Sequence, residues 1–141
     1  MISGKLINLW PLQGLALETL DCRNNPLSDL SPLQSLKLTE LRCMGTQVAD
    51  LTPLKDMKLK VLGFSHTKAA DLSIVKDMPL QILACNNTKV NDLSPLIGLK
   101  LIELNCSFDK ARDAEIVRSI KSLQKINSKP AAEFWNEVDG K

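Results

Sequence analysis

Leucine recurs along this chain at a fixed step. Leu17, Leu38, Leu59, Leu80 and Leu101 are evenly spaced without drift, and Leu20, Leu41, Leu62, Leu83 and Leu104 keep the same interval, each three positions later. Further columns run beside them: Cys22, Cys43, Phe64, Cys85 and Cys106; Asn25, Thr46, Thr67, Thr88 and Asp109; Leu27, Val48, Ala69 and Val90; Asp29, Asp50, Asp71, Asp92 and Asp113; Leu30, Leu51, Leu72, Leu93 and Ala114. The unit reads LxxLxCxxTxVxDLxPLxxL, and so many coincident columns identify a repeat architecture. The end of LxxLxC alternates with period two, which predicts a short strand with Leu20 and Cys22 pointing inward and Thr19, Asp21 and Arg23 outward. In the second half, Asp50-Leu51-Thr52-Pro53-Leu54 sets a hydroxyl residue before Pro, the order expected of an N-cap and a first helical position. Too few residues remain for a long α-helix, so a 3₁₀ or single-turn helix is expected on the return path. Stacked repeats then share one core of Leu columns, because no single unit can bury its apolar face alone.

The two ends differ. Leu6, Asn8, Leu9, Pro11, Leu12 and Leu15 match the second half of a repeat, one full repeat before Leu27, Asp29, Leu30, Pro32, Leu33 and Leu36. The chain starts in mid-repeat, which reads as a fragment of a longer array or as a first sheet edge left open and liable to self-association. At the other end Ala114, Val117, Ile120 and Leu123 follow near-helical spacing, predicting a helix over 111–123 with Asp109 as its N-cap. Leu123-Gln124-Lys125-Ile126-Asn127 resembles a last strand shifted by one position, and Phe134, Trp135 and Val138 predict a short covering helix. The expected organisation is one solenoid: a partial repeat over 1–16, repeats over 17–109 and a C-terminal cap over 110–141.

Composition narrows the function classes. Of 141 residues 44% are hydrophobic and 24% charged, with six Gly and seven Pro, so a disordered or collagen-like chain is excluded. Aromatic residues make up 4%, with no Tyr, and the net charge is +2; stacking platforms and an electrostatic footprint for nucleic acid or an anionic membrane are both lacking. Neither nucleic acid nor membrane is an expected partner. Met1-Ile2-Ser3-Gly4-Lys5 lacks the blocks of a signal peptide, and a soluble protein of the cytoplasm is expected.

On these columns the chain resembles a leucine-rich repeat protein of the short-repeat kind to which bacterial internalins belong, over positions 6 to 109. The resemblance implies an α/β repeat solenoid, a right-handed superhelix with a concave parallel sheet, short 3₁₀ turns on the convex side and an α-helical C-terminal cap. More narrowly, the DLSPL segments at 29–33 and 92–96, the Cys column and the tail segments Arg112-Asp113-Ala114-Glu115-Ile116 and Lys129-Pro130-Ala131-Ala132-Glu133-Phe134-Trp135 are similar to repeat segments attached to bacterial serine/threonine protein kinases. The chain departs from the usual pattern with Cys or Phe where Leu is common, and Thr where Asn is common. The Thr change weakens the expected side-chain ladder to the backbone, though Thr still bonds locally.

Candidate chemistry is sparse. The four Cys are separated only by whole repeat lengths, without zinc-site spacing, and read as small hydrophobes in an inward column. His66 has no companion for base or metal chemistry and reads as an exposed turn residue. The Asp column reads as turn capping, each carboxylate accepting N–H bonds at a short-helix start. Phosphate-loop, zinc-protease and nucleophile-elbow motifs are missing, so neither an enzyme nor a cofactor is expected.

Function is therefore sought on the concave face, where Val61, Gly63, Ile82 and Ala84 make an apolar centre and charge lies in the first two rows. An apolar patch rimmed by polar groups is the anatomy of a protein-binding site. The expected role is a non-catalytic scaffold engaging a protein or peptide, with Val61 and Ile82 as anchors and Arg23, Glu40 and Arg42 setting orientation. The alternative is a structural or regulatory segment of a larger kinase-type protein, packed within its own chain.

Overall fold

The computed structural model describes residues 5–141, so the first four positions of the partial repeat expected over 1–16 lie outside the described residues. Each repeat contributes one short strand: β1 Thr19–Asp21, β2 Glu40–Arg42, β3 Val61–Gly63, β4 Ile82–Ala84 and β5 Glu103–Asn105. They pair in parallel in chain order, with Leu20, Leu41, Leu62, Leu83 and Leu104 in register. The architecture is the expected solenoid with a parallel sheet on one side and 3₁₀ turns on the other. Those turns span Trp10–Leu12, Ser31–Leu33, Thr52–Leu54, Ser73–Val75 and Ser94–Leu96. Between sheet and turns runs a single core, in which every strand leucine is buried and Cys22, Cys43, Phe64, Cys85 and Cys106 fill the next column. Desolvation pushes the Cys22 thiol up to about 11 and those of Cys85 and Cys106 to about 12, and raises Cys43 as well. All four thiols are free. Protonated and dry, they pack as small hydrophobes.

The capping device differs in one respect from the sequence expectation. Ser31, Thr52, Ser73 and Ser94 are the first residues inside their turns, not the caps, and the preceding leucines Leu30, Leu51, Leu72 and Leu93 occupy the N-cap position without a side-chain bond. The carboxylate two positions before each hydroxyl residue does the capping: Asp29, Asp50, Asp71 and Asp92 accept the N–H of Ser31, Thr52, Ser73 and Ser94 at 2.8–2.9 Å. A short polar side chain reaching two positions ahead makes an Asx-turn, a bond a carboxylate makes more strongly than a hydroxyl does. Hydrogen bonds from the residue two positions on hold these carboxyls below their ordinary value: the side chain and amide of Ser31 at Asp29, the amide and side chain of Ser94 at Asp92.

The Thr column bonds locally, not as a ladder. Thr46, Thr67 and Thr88 donate their hydroxyls to the carbonyls of Cys43, Phe64 and Cys85 at 2.7–2.8 Å. Asn side chains bridge repeats to a backbone amide only near the ends of the array, among the described residues: Asn25 Oδ1 accepts the Leu6 N–H at 2.9 Å, and Asn127 Oδ1 accepts that of Cys106 at 2.8 Å. Just after each of β1 to β4 the chain turns through the left-handed region, at Asn24 (φ 58°), Gly45 (70°), His66 (58°) and Asn87 (55°). His66 is thus an exposed turn residue. At Gly45 a Cβ would also meet the Asn24 carboxamide oxygen, which would have to move aside, so glycine is favoured there.

The cap begins where Asp109 accepts the Arg112 N–H at 2.9 Å and opens α1, Lys110–Ser119. The helix is shorter than the spacing predicts. Ile120 leaves helical geometry (ψ 83°), because the chain must turn so that the Gln124 and Lys125 amides reach the Ile102 carbonyl. Asp113 also departs from its column: it lies fully buried inside α1, where it accepts the Asp109 N–H and the Arg112 guanidinium at 2.7–2.9 Å. Strand β6, Lys125–Ile126, pairs parallel to β5 with Glu103 opposite Lys125, a step one position longer than the repeat, which realises the expected shift. Asn127 and Ser128, both left-handed, then form a tight hairpin turn. Antiparallel β7, Lys129–Pro130, which the leucine pattern does not announce, closes that edge. Helix α2, Ala131–Val138, packs Phe134 and Trp135 edge-on against Phe108, with ring centroids 5.0 and 5.9 Å apart.

Candidate functional site

Alternation along each strand sends one residue in two away from the core, and the parallel register stacks these outward residues into rows. The first row runs Thr19, Glu40, Val61, Ile82, Glu103 and Lys125; the second runs Asp21, Arg42, Gly63, Ala84 and Asn105. Val61 and Ile82 are registered neighbours about 4.8 Å apart. Both are half-buried in the middle of the sheet. Glu40 is the other neighbour of Val61, and Arg42 lies beside Gly63.

The charged residues of β1, β2 and β5 are already tied. Arg23 grips Asp21 through both oxygens at 2.8–3.1 Å, and Arg42 holds Glu40 at 2.7 Å. Within the same strand, Asn105 Nδ2 donates to Glu103 at 3.1 Å. The Arg23 bond holds the Asp21 carboxyl below its ordinary value. Each of these pairs joins residues two positions apart, whose side chains leave the chain on the same side. Ser65 and Asn86 bridge β3 and β4 at 2.6 Å beyond the strand ends.

Of the five residues singled out from the sequence, the structure brings Glu40, Val61 and Ile82 into one row and sets Arg42 directly beside them. Arg23 it does not: this residue follows the end of β1, two strands from Val61 and at the opposite end of the strand direction, with its guanidinium turned to Asp21. Met44 was missed. A Cβ at position 63 would lie 2.5 Å from Met44 Sδ, so the thioether occupies the space the glycine leaves and extends the apolar centre. A glycine within an otherwise regular strand is the sequence signal of such a close approach. Among the described residues no group of three His, Cys, Asp or Glu could hold a metal ion. What the face offers is aliphatic surface, a polarisable thioether and, in β1 and β2, charges held in fixed pairs.

Comparison with known proteins bears on the scaffold. A family model described as leucine rich repeats (two copies) matches residues 16–56. Among solved structures, an internalin (inlF) of Listeria monocytogenes superposes with a TM-score of 0.75 at 24% identity, covering 87% of this chain and 38% of that one. Internalin C2 of the same organism gives 0.67 at 20% identity, covering 86% of this chain and 66% of the other. This chain thus spans less than two thirds of the first and just under two thirds of the second, and at such identity the likeness is one of fold. No curated protein matches. The leucine-rich repeat reading holds; neither the family model nor the internalins speak to attachment to a kinase. Among the described residues no helix is long and apolar enough to cross a membrane.

Proposed function

We propose that this chain, a leucine-rich repeat solenoid, is a non-catalytic scaffold that binds a protein or peptide partner across its concave strand face. The observation carrying this reading is the registered Val61–Ile82 pair with Met44 laid over Gly63: an aliphatic centre bordered on one side by the closed Glu40–Arg42 ion pair and on the other by Glu103, hydrogen-bonded to Asn105. A partner burying that centre gains apolar contact while the Glu40 and Arg42 charges beside Val61 stay paired, the arrangement in which a few central anchors dominate affinity. Arg42 and Glu40, fixed as a pair at the border, orient the partner. Arg23, remote from the centre, acts mainly on encounter rate.

The test is calorimetric titration of a partner recovered by affinity capture. Val61→Asp and Ile82→Asp are each expected to weaken binding by at least about 2 kcal/mol. Lys89→Asp, on an exposed turn away from the strands, should leave it unchanged. If Lys89→Asp weakens binding while the concave variants do not, the site lies off the sheet and the reading is wrong.

A further inference from the structure

A second surface runs along the edge where each 3₁₀ turn returns to the next strand, over residues 34–39, 55–60, 76–81 and 97–102. Lys37, Lys58 and Lys100 stand at equivalent positions there, immediately before the inward Leu38, Leu59 and Leu101, with Pro79 in the remaining repeat. Lys55 lies beside them. All four lysines are exposed. Among the described residues none has a carboxylate within 4.0 Å, although Asp56 and Asp77 share the edge. The contrast with the concave face is direct: there Arg23 and Arg42 are each locked to a carboxylate, and here the ammonium groups are uncommitted.

Beneath the lysines the repeats leave grooves. One is walled by residues 36–39 and 55–58, another by 78–81 and 98–102, and a third by 15–18 and 35–37. Leu36, Met57, Met78 and Leu99 form their floors, one per repeat, so the grooves follow each other along the solenoid axis. Ile102 and Leu15, 39% and 49% exposed, widen the apolar strip at its ends.

We propose that this edge is a docking surface, separate from the concave face, for an extended acidic segment of a partner protein. Its carboxylates meet Lys37, Lys58 and Lys100, and its intervening aliphatic side chains settle on Leu36 and Met57. The lysine rim selects an anion. The apolar floor selects one that brings hydrocarbon with it, which a bare phosphate backbone does not. Spacing agrees over the whole run: Lys37 and Lys58, on successive repeats, are about 4.8 Å apart and Lys100, two repeats on, about 9.6 Å further, while three alternate side chains of an extended segment span about 13 Å, a difference that flexible lysine stems absorb. Methionine on the floor adapts to different aliphatic shapes.

The probe is a fluorescein-labelled peptide of three Glu-Leu-Asp-Ser units, followed by fluorescence anisotropy with the full chain. Binding is expected at about 50 mM salt and should weaken at least about fivefold at about 200 mM. Lys37→Glu/Lys58→Glu, a pair of exposed sites, should lower affinity about tenfold or more. A peptide with Leu replaced by Ser should bind at least about fivefold more weakly. Val61→Asp should bind the probe as the parent does, which separates this surface from the concave reading. The proposal is overturned if the probe does not bind, if the lysine variant binds it unchanged, or if the Ser peptide binds equally well. It is also overturned if Val61→Asp abolishes probe binding, or if polyuridylate or phosphatidylserine vesicles bind the chain more tightly than the probe does.

Discussion

At the scale of single residues, one column shows how the core tolerates change. Cys22, Cys43, Cys85 and Cys106 fill it with a small thiol, whereas Phe64 fills it with a ring that is 0% exposed, and Ala69 stands in the same repeat where neighbours carry Val or Leu. Interiors are close-packed, so the repeat with the largest side chain in one column carries the smallest in another. Phe64→Cys, although it restores the residue found in every other repeat, is expected to cost about 2–4 kcal/mol by removing buried volume that nothing refills. Urea unfolding followed by circular dichroism measures it, and an unchanged midpoint would show that the two positions do not share a layer. The inward column and the Asp column were legible from the sequence because each recurs at one step. That the hydroxyl residues stand inside their turns was not, since Asp-Leu-Ser-Pro fits either assignment until backbone geometry shows which amide the carboxylate faces.

At the scale of elements, α1 is held to the last repeat by Asp113. Burial raises this carboxyl, but the guanidinium of Arg112 and the N–H of Asp109 outweigh it and hold it below the ordinary value. A depressed folded-state value stabilises the fold above the unfolded-state value of about 3.9, and that contribution disappears as pH falls through the folded-state value. Asp113→Asn should therefore be less stable than the parent at neutral pH, by about 1–2 kcal/mol with Arg112 partly solvated. The gap should close below about pH 4. Denaturant titrations at neutral and acid pH decide this, and parallel pH curves for parent and variant would remove Asp113 from the account. The cap helices were visible in their apolar spacing. The hairpin from β6 to β7 was not, because Asn127 and Ser128 carry no Gly and both strands are minimal in length.

At the scale of the whole molecule the two edges of the sheet differ. β7 turns antiparallel and α2 packs against it, whereas β1 pairs only with β2 among the described residues. Nearby Ile7, Trp10 and Leu15 are 69%, 53% and 49% exposed. An open strand edge beside apolar surface is a template for pairing, so this chain is expected to self-associate as its concentration rises. Sedimentation velocity over a concentration series tests this, and a single monomeric species throughout would show the edge to be protected. The repeat length, the strands, the inward columns and the short outer turns were determined by the sequence alone. Each recurs once per unit, and in a solenoid a repeat needs only its neighbours, so local pattern and global fold coincide. Tertiary structure decided which outward residues meet. Arg42 could have reached across to Asp21 but closes on Glu40, Met44 folds onto Gly63, and lysines from successive repeats line one groove while arginines on the next face are spent in pairs. Those choices depend on register and on the rotamers that neighbouring strands leave free, which no single repeat encodes.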